Sequence, residues 1–379
     1  MEETGPAGQQ IDRTYLRVGR RRLSYFGGCD YFRLASHPRI LQAMVEGLDR
    51  YGLNVAASRK TTGNHEVYER LERALAVFFG VESAALLSNG YIASLAAAQG
   101  LAGEFTHVLI DDRAHGALSD AARFFDCPVR RFPHRDVAAA EQAIHRCGKG
   151  AKIILLTDGM FSHNGEFAPL AAYLSILPRS GMILLDDAHG AGTLGRTGQG
   201  TPEHLGTPTD RMIRAITLSK AFGVYGGAIV ASRAVRNKIV ARSSIFIGNT
   251  PLPLPLAHAA RQSLKVVRQD AAMRRRLDAN TIFVKGVLRR AGLPLADTPS
   301  PIVPLIPRNP RQASRLQQEL LARGVFPTLI QYPGGPVGGY FRFALSSEHR
   351  REQLEDLLAV LLPFAERSRG IGGRVLFHS

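Results

Sequence analysis

The residue type most able to do chemistry in this chain is a lysine, Lys220. It sits in Thr217-Leu218-Ser219-Lys220-Ala221-Phe222-Gly223, after an apolar strand candidate and before Gly226-Gly227. A lysine at the end of a buried strand is poorly solvated, which favours the neutral, nucleophilic amine. Taken alone, it would read as a surface lysine in a loop. Upstream, Leu184-Leu185-Asp186-Asp187-Ala188-His189-Gly190 puts a carboxylate at a strand's C-terminal edge, where open α/β sheets bind ligands. Taken alone, this would be a helix N-cap with a satisfied histidine beside it. Asp-x-x-His followed some thirty residues later by Thr-x-x-Lys is much harder to obtain by chance. A pyridine nitrogen needs such a carboxylate to stay protonated, because only the protonated ring is an effective electron sink. His189 can reach the phenolic oxygen of the same ring. The chemistry implied is that of pyridoxal phosphate (PLP) held as a Schiff base on Lys220.

Two further segments fit that chemistry. Ser88-Asn89-Gly90-Tyr91 opens an Ala-rich helix, whose free amides and dipole suit a phosphate. Asp111-Asp112-Arg113-Ala114-His115-Gly116 follows a strand candidate, and a flat imidazole at His115 could stack on a cofactor ring. Each has an ordinary structural alternative, a turn with its cap and a strand-end histidine. Their company is what raises them. Arg342, between Phe341 and Phe343 on a strand candidate, has a planar fork that pairs bidentately with a carboxylate.

The elements that must position these groups read as an α/β pattern. Val108-Leu109-Ile110, residues 153–156, 182–185 and 213–218, and Ala228-Ile229-Val230 are near-continuous apolar runs, suited to strands buried on both faces of a parallel sheet. Helical stretches lie between them; over residues 66–79, Leu71, Leu75 and Phe78 fall at helical spacing. This predicts a doubly wound large domain. Beyond the proline-rich 248–255 segment the spacing predicts one long helix over residues 256–290, then a smaller α+β domain. That domain has Ile302-Val303-Pro304-Leu305, a helix over 312–323, a strand over 340–343 and a closing helix over 348–362. The expected division is an N-terminal segment (1–35) packing with the small domain, a large domain (36–270) and a small domain (271–379).

Composition narrows the function. The 379 residues, 45% hydrophobic, are enough for more than one compact unit. No apolar run approaches the roughly 20 residues needed to span a bilayer. The first residues lack a signal-peptide layout, which predicts a cytoplasmic enzyme without a membrane partner. Cys29, Cys127 and Cys147 are too scattered for a disulfide framework or a zinc site, so no metal is expected. The net charge of +16 includes clusters at Arg17, Arg20, Arg21 and Arg22 and at Arg274, Arg275 and Arg276. Neither cluster carries interleaved aromatics or a nucleic-acid-binding motif, so nucleic acid is not the expected partner. An anionic substrate such as a CoA thioester fits the charge as well as a solvated surface does.

The motif order resembles the α-oxoamine synthase family of PLP-dependent enzymes. Ser58-Arg59, Thr62-Gly63-Asn64, Leu71-Glu72, Gly90-Tyr91, His115, His134, Phe161-Ser162, Asp186 to Gly190, Thr217 to Lys220 and Gly226-Gly227 occur in the family's order from Asp30-Tyr31 to Arg342. The resemblance implies the aspartate-aminotransferase fold (fold type I), with a mostly parallel seven-stranded sheet and a smaller α+β C-terminal domain. It also implies a homodimer with active sites at the interface. Carried over, it makes Lys220 the Schiff-base lysine and later proton carrier, Asp186 the partner of the pyridinium nitrogen, and His189 the contact to the phenolic oxygen. His115 stacks on the ring. The Gly90 and Tyr91 amides and the Thr217 hydroxyl hold the phosphate. Ser162 lies by the cofactor and, with Arg342, binds the amino acid's carboxylate.

Departures from the family pattern bear on substrate. Cys29 stands where an asparagine helps hold that carboxylate. Ser162-His163-Asn164-Gly165-Glu166 replaces Ser-Met-Asp-Gly-Asp, Leu53 to Ala57 replaces a Gly-rich stretch, and Tyr68 replaces a helix histidine. The Ser-Thr pair that reaches a phosphate across the dimer is replaced around Gly248-Asn249-Thr250, leaving Thr250 as the candidate there. The reaction implied is a decarboxylative Claisen-type condensation of glycine, alanine or serine with an acyl-CoA, the work of a PLP-dependent C-acyltransferase. An aminotransferase or CoA-dependent lyase on the same fold is the alternative. A non-catalytic subunit of a heterodimer is another, against which Lys220, Asp186 and His189 all argue.

Overall fold

A computed structural model describes residues 7–331 and 338–369. Residues 1–6 of the expected N-terminal segment, and 332–337 and 370–379 of the expected small domain, lie outside the described residues. Three short strands come first, β1 (Gln9–Ile11), β2 (Tyr15–Val18) and β3 (Arg21–Ser24), paired antiparallel in that order. Arg17, Arg20, Arg21 and Arg22 are exposed on this small sheet. Next come β4 (Ser83–Leu87), β5 (His107–Asp111), β6 (Val129–Phe132), β7 (Ile153–Asp158), β8 (Met182–Asp186), β9 (Met212–Thr217) and β10 (Gly227–Ala231). They form one sheet in the order β4-β10-β9-β8-β7-β5-β6. All pairs from β9 to β6 are parallel, while β10 runs antiparallel to both its neighbours.

Each apolar run read from the sequence became a strand of this sheet. In β7 the alternation splits the burden, with Ile154 and Leu156 packing on one face and Ile153 and Leu155 on the other. Burying each such side chain stabilises by about 1.5–3 kcal/mol, which sets the register firmly. The edge strands β4 and β6 were not singled out. Ser83-Ala84-Ala85 is weakly β-forming, and Val129, Arg130 and Arg131 are exposed, as edge positions tolerate. The helix Glu66–Phe79 buries Leu71, Leu75 and Phe78 as its spacing predicts and stops at Gly80 in the left-handed region (φ 63°).

The single long helix expected over 256–290 is two helices, Leu254–Gln269 and Ala271–Arg290. The chain leaves helical geometry at Asp270 (φ −98°, ψ 78°). A polar residue whose side chain competes for backbone hydrogen bonds makes that break inexpensive.

By its internal contacts the chain divides into two units. One holds residues 34–162 and 167–271, with the seven-stranded sheet and helices on both its faces. The other holds the chain up to Arg33, His163–Glu166, and Ala272 onward. Its own sheet joins β11 (Ile302–Leu305), β12 (Leu329–Ile330) and β13 (Tyr340–Ala344) in the order β11-β13-β12, over a core that includes Phe26, Leu288, Leu316, Phe341 and Leu357. The divisions fall at 33/34 and 271/272, against the expected 35/36 and 270/271, and the inclusion of His163–Glu166 was not foreseen. Among the described residues, no helix is long and apolar enough to cross a membrane.

Candidate active site

Four neighbouring strands of the large sheet end in polar residues at their C-terminal edge. Taken across the sheet they are Thr217 (β9), Asp186 (β8), Asp158 (β7) and Asp111 (β5). Apart from Arg214 in β9 and Thr157 in β7, the interiors of these strands are apolar, and the polar side chains gather at this edge, where parallel sheets present ligand sites.

Lys220 lies three residues beyond the end of β9, and its carbonyl accepts the Gly223 amide (2.9 Å) in the turn that follows it. The half-buried Lys220 Nζ lies 2.9 Å from Nε2 of the buried His189. His189 is carried by the segment after β8, three residues beyond Asp186. Asp186 Oδ1 accepts the Ala188 amide (3.0 Å), and its Oδ2 lies 3.9 Å from His115 Nδ1. The spacing Asp-x-x-His thus puts two groups on one turn, where His189 meets the lysine that follows the adjacent strand.

Asp187, the other half of the Asp-Asp pair, has a different place. It is fully buried, accepts from Thr201 Oγ1 (2.7 Å) and pairs with Arg214 (2.7 Å). Burial pushes its carboxyl up, while Arg214 and Thr201 pull it back. It anchors the turn that carries Asp186 and His189.

The phosphate candidates meet at the start of the helix Gly90–Gly100. Asn89 caps it by accepting the Ile92 amide (3.0 Å), so the preceding Gly90 and Tyr91 amides have no intrahelical carbonyl to bond. A side chain at Gly90 would place its Cβ 2.8 Å from Thr217 Cβ and 3.3 Å from its Oγ1. Gly227 is as tightly placed, since a Cβ there would fall 2.2 Å from the Asn89 carbonyl carbon. The two glycines bring bare backbone amides beside the Thr217 hydroxyl, which also accepts the Ser219 amide (3.2 Å). Tyr91 is exposed, bonds Asp120 through its hydroxyl and sits edge-on to the His115 ring at 6.2 Å; the bond to Asp120 raises its phenol above the ordinary range.

These features fit PLP: an amine beside a histidine, an acid on the next strand, an imidazole beside that acid, and an amide cradle that a side chain would fill. Thr250 is exposed and is not brought to this cluster within the chain; its neighbour Asn249 reaches Ser88 Oγ at 3.4 Å. Ser162 is half-buried just after Phe161, whose ring meets His134 edge-on at 4.3 Å. Cys29 and Arg342 belong to the other unit, where both lie within electrostatic reach of Tyr31. The buried Tyr31 phenol is held high by burial and by Cys29, with Arg342 opposing. Arg342 is half-buried on β13, its amide and carbonyl both bonded to Thr328.

The class I and II aminotransferase family matches residues 28–361. An 8-amino-7-oxononanoate synthase from Thioalkalivibrio sulfidiphilus is 33% identical over 360 residues, spanning 94% of this chain and 92% of that protein. The chain belongs to the α-oxoamine synthase family. A second 8-amino-7-oxononanoate synthase, from Methylococcus capsulatus, is 34% identical over 88% of this chain and 86% of its own length. Among solved structures, serine palmitoyltransferase from S. paucimobilis with bound PLP aligns with a TM-score of 0.89 at 26% identity, covering 97% of this chain and 94% of that one. The chain therefore has the fold type I architecture expected from its motifs, and it is an enzyme of a PLP-dependent acyltransferase family.

Two polar groups at the edge of this α-oxoamine synthase have no role predicted from the sequence. Asp158 ends β7 beside Asp186, and Asp111 ends β5, where it holds His134 Nδ1 at 2.8 Å and the Arg135 amide at 2.9 Å. The signal was present, since Thr157-Asp158 follows an apolar run just as Leu185-Asp186 does.

Proposed function

We propose that this enzyme condenses a small α-amino acid (glycine, alanine or serine) with an acyl-CoA thioester, giving an α-amino ketone, CoA and carbon dioxide. The observation that carries the reading is the 2.9 Å pairing of Lys220 Nζ with His189 Nε2, one strand away from the Asp186 carboxylate. Lys220 would take the aldehyde carbon of PLP, Asp186 the ring nitrogen, His189 the phenolic oxygen and His115 the ring face. The Gly90 and Tyr91 amides and the Thr217 hydroxyl would take the phosphate, with Thr250 of a second copy as a further contact. Bound there, the protonated ring supplies a sink for negative charge at the substrate's α-carbon.

The chain's own residues then divide the work. Asp186 keeps the ring nitrogen protonated through its negative charge. The Lys220 amine, oriented by His189, removes and returns the proton at the α-carbon. Ser162, Cys29 and Arg342 hold the amino acid's carboxylate, Arg342 through its bidentate fork. Over the whole reaction a carbon–carbon bond forms between the α-carbon and the thioester carbonyl. The carbon–sulfur bond breaks, CoA leaves as the thiol, and the carboxylate leaves as carbon dioxide. The excess of positive charge favours a polyphosphorylated donor of this kind. The reading includes a cytoplasmic homodimer with no nucleic-acid or membrane partner.

The test is an absorbance titration of the PLP-loaded protein with each small amino acid, followed by an acyl-CoA panel read by product mass, free thiol and carbon dioxide. Condensation gives all three signals with one donor. Conversion of the cofactor to its amine form without thiol release would replace this reading with an aminotransferase.

A further inference from the structure

We propose that Asp158 is a positioning residue, which fixes His115 and Asp186 relative to each other at the edge of the sheet. The inference rests on the PLP site described above and adds to it a residue to which that site gave no role.

The geometry is a closed triangle. Asp158 and Asp186 are register partners at the ends of β7 and β8, so their carboxyls are brought side by side. Asp158 Oδ1 accepts the His115 backbone amide at 3.0 Å, while the His115 ring lies 3.9 Å from Asp186 Oδ2. One carboxyl therefore grips the main chain of His115, and its neighbour faces the same residue's side chain. His115 Nδ1 also accepts the Ala117 amide (3.2 Å), so ring and backbone are tied from both sides. The ladder itself is locked by the Gly159 amide on the Asp186 carbonyl at 2.8 Å.

Two adjacent carboxyls cannot both carry charge cheaply, and their surroundings decide which one does. Asp158 is buried, and its carboxyl is pushed well above the usual carboxylate range, first by burial and then by the charge of Asp186. Asp111 adds to that push, while the His115 amide and Lys220 oppose it. Burial and the neighbouring charge thus both favour the neutral form of Asp158, whose part in the geometry is to accept the His115 amide. A neutral side chain of the same shape should serve equally well, whereas one that cannot reach the His115 amide should not.

Three full-length variants test this: Asp158→Asn, Asp158→Ala and Asp158→Ser. The readouts are the equilibrium affinity for PLP, the pH dependence of the bound cofactor's absorbance, and the His115 ring resonances of the cofactor-free protein. In Asp158→Ala the expected loss of affinity is roughly tenfold, the size of one buried amide left unbonded. The absorbance–pH profile should move and the His115 resonances should shift or broaden. Asp158→Asn should stay within about twofold of wild type on affinity, with unmoved resonances. Asp158→Ser, too short to reach the amide, should behave as Asp158→Ala and stands in for it if that variant does not fold. The proposal is overturned if the short variants match wild type, or if a folded Asp158→Asn is as impaired as they are. Wild-type protein that takes up no PLP would sink the functional reading instead, and the His115 resonances would still decide the positional one.

Discussion

Asp187 and Arg214 form an ion pair of 2.7 Å in which neither side chain is more than 2% exposed. The pair lies beneath the turn that carries Asp186 and His189, and Asp187 also binds the Thr201 amide and hydroxyl. Removing one partner leaves the other charged and dry. Arg214→Met should therefore cost about 3–5 kcal/mol, read as a drop in the chemical denaturation midpoint. Arg214→Met combined with Asp187→Asn should recover part of that loss, because the amide oxygen still accepts from Thr201 and no unpaired charge stays buried. A double variant no more stable than Arg214→Met would refute this account.

Lys220 and Asp186 should fail in different ways. Lys220→Ala removes the amine, so borohydride should no longer tag the protein and the visible absorbance of the bound cofactor should vanish. Asp186→Asn keeps the shape but loses the charge. It should retain cofactor while turnover falls by roughly 100-fold or more, the scale of removing one electrostatic contact to developing charge. Normal turnover in Asp186→Asn would refute the role given to that carboxylate.

The contrast between Asp186 and its neighbours marks where the sequence is readable. The apolar runs foretold strands β5, β7, β8, β9 and β10, because burial on both faces leaves an unbroken hydrophobic record. Strands β4 and β6 left no such record, since edge positions accept alanine and exposed arginine. The order Asp186, His189, Lys220 was legible because the groups lie on two adjacent strand ends and keep fixed spacings along the chain. Asp158 was missed for the converse reason. Its bond goes to a backbone amide, that of His115, 43 positions away, and a backbone amide has no residue type to read. The break at Asp270 was hidden because helical spacing continues on both sides of it, and one residue's dihedral angles leave no trace in a periodic pattern.

Gly90 offers a test of the phosphate cradle that spares the rest of the site. A Cβ at this position would lie 2.8 Å from Thr217 Cβ, closer than packed carbons allow. Gly90→Val must push the Thr217 side chain and the helix start apart, at an overpacking cost of about 1–3 kcal/mol. Affinity for PLP should fall by roughly tenfold or more, in keeping with that cost. Affinity for pyridoxal, which has no phosphate, should change little. Equal losses for both ligands, measured by equilibrium dialysis, would place the phosphate elsewhere.

His349 predicts how stability responds to acid. It is buried in the smaller unit, its Nε2 near the Tyr25 carbonyl (3.0 Å) and the Arg33 guanidinium (3.5 Å). Burial first, and the neighbouring Arg33 charge second, lower its pKa to about 3, while the bond to Tyr25 opposes the shift. The folded state therefore binds fewer protons at this site than the unfolded chain, in which histidine titrates near about 6.5. Between these two values stability rises with pH, so it is intact above the unfolded value and is lost as pH falls toward the folded one. From pH 6.5 to 5, wild type should lose about 2 kcal/mol more than His349→Gln, at roughly 1.4 kcal/mol per unit for a single proton. Urea denaturation of both proteins at the two pH values measures the difference directly. Parallel losses in the two proteins would mean that His349 takes up its proton in the folded state, and the buried arrangement with Arg33 would have to be abandoned.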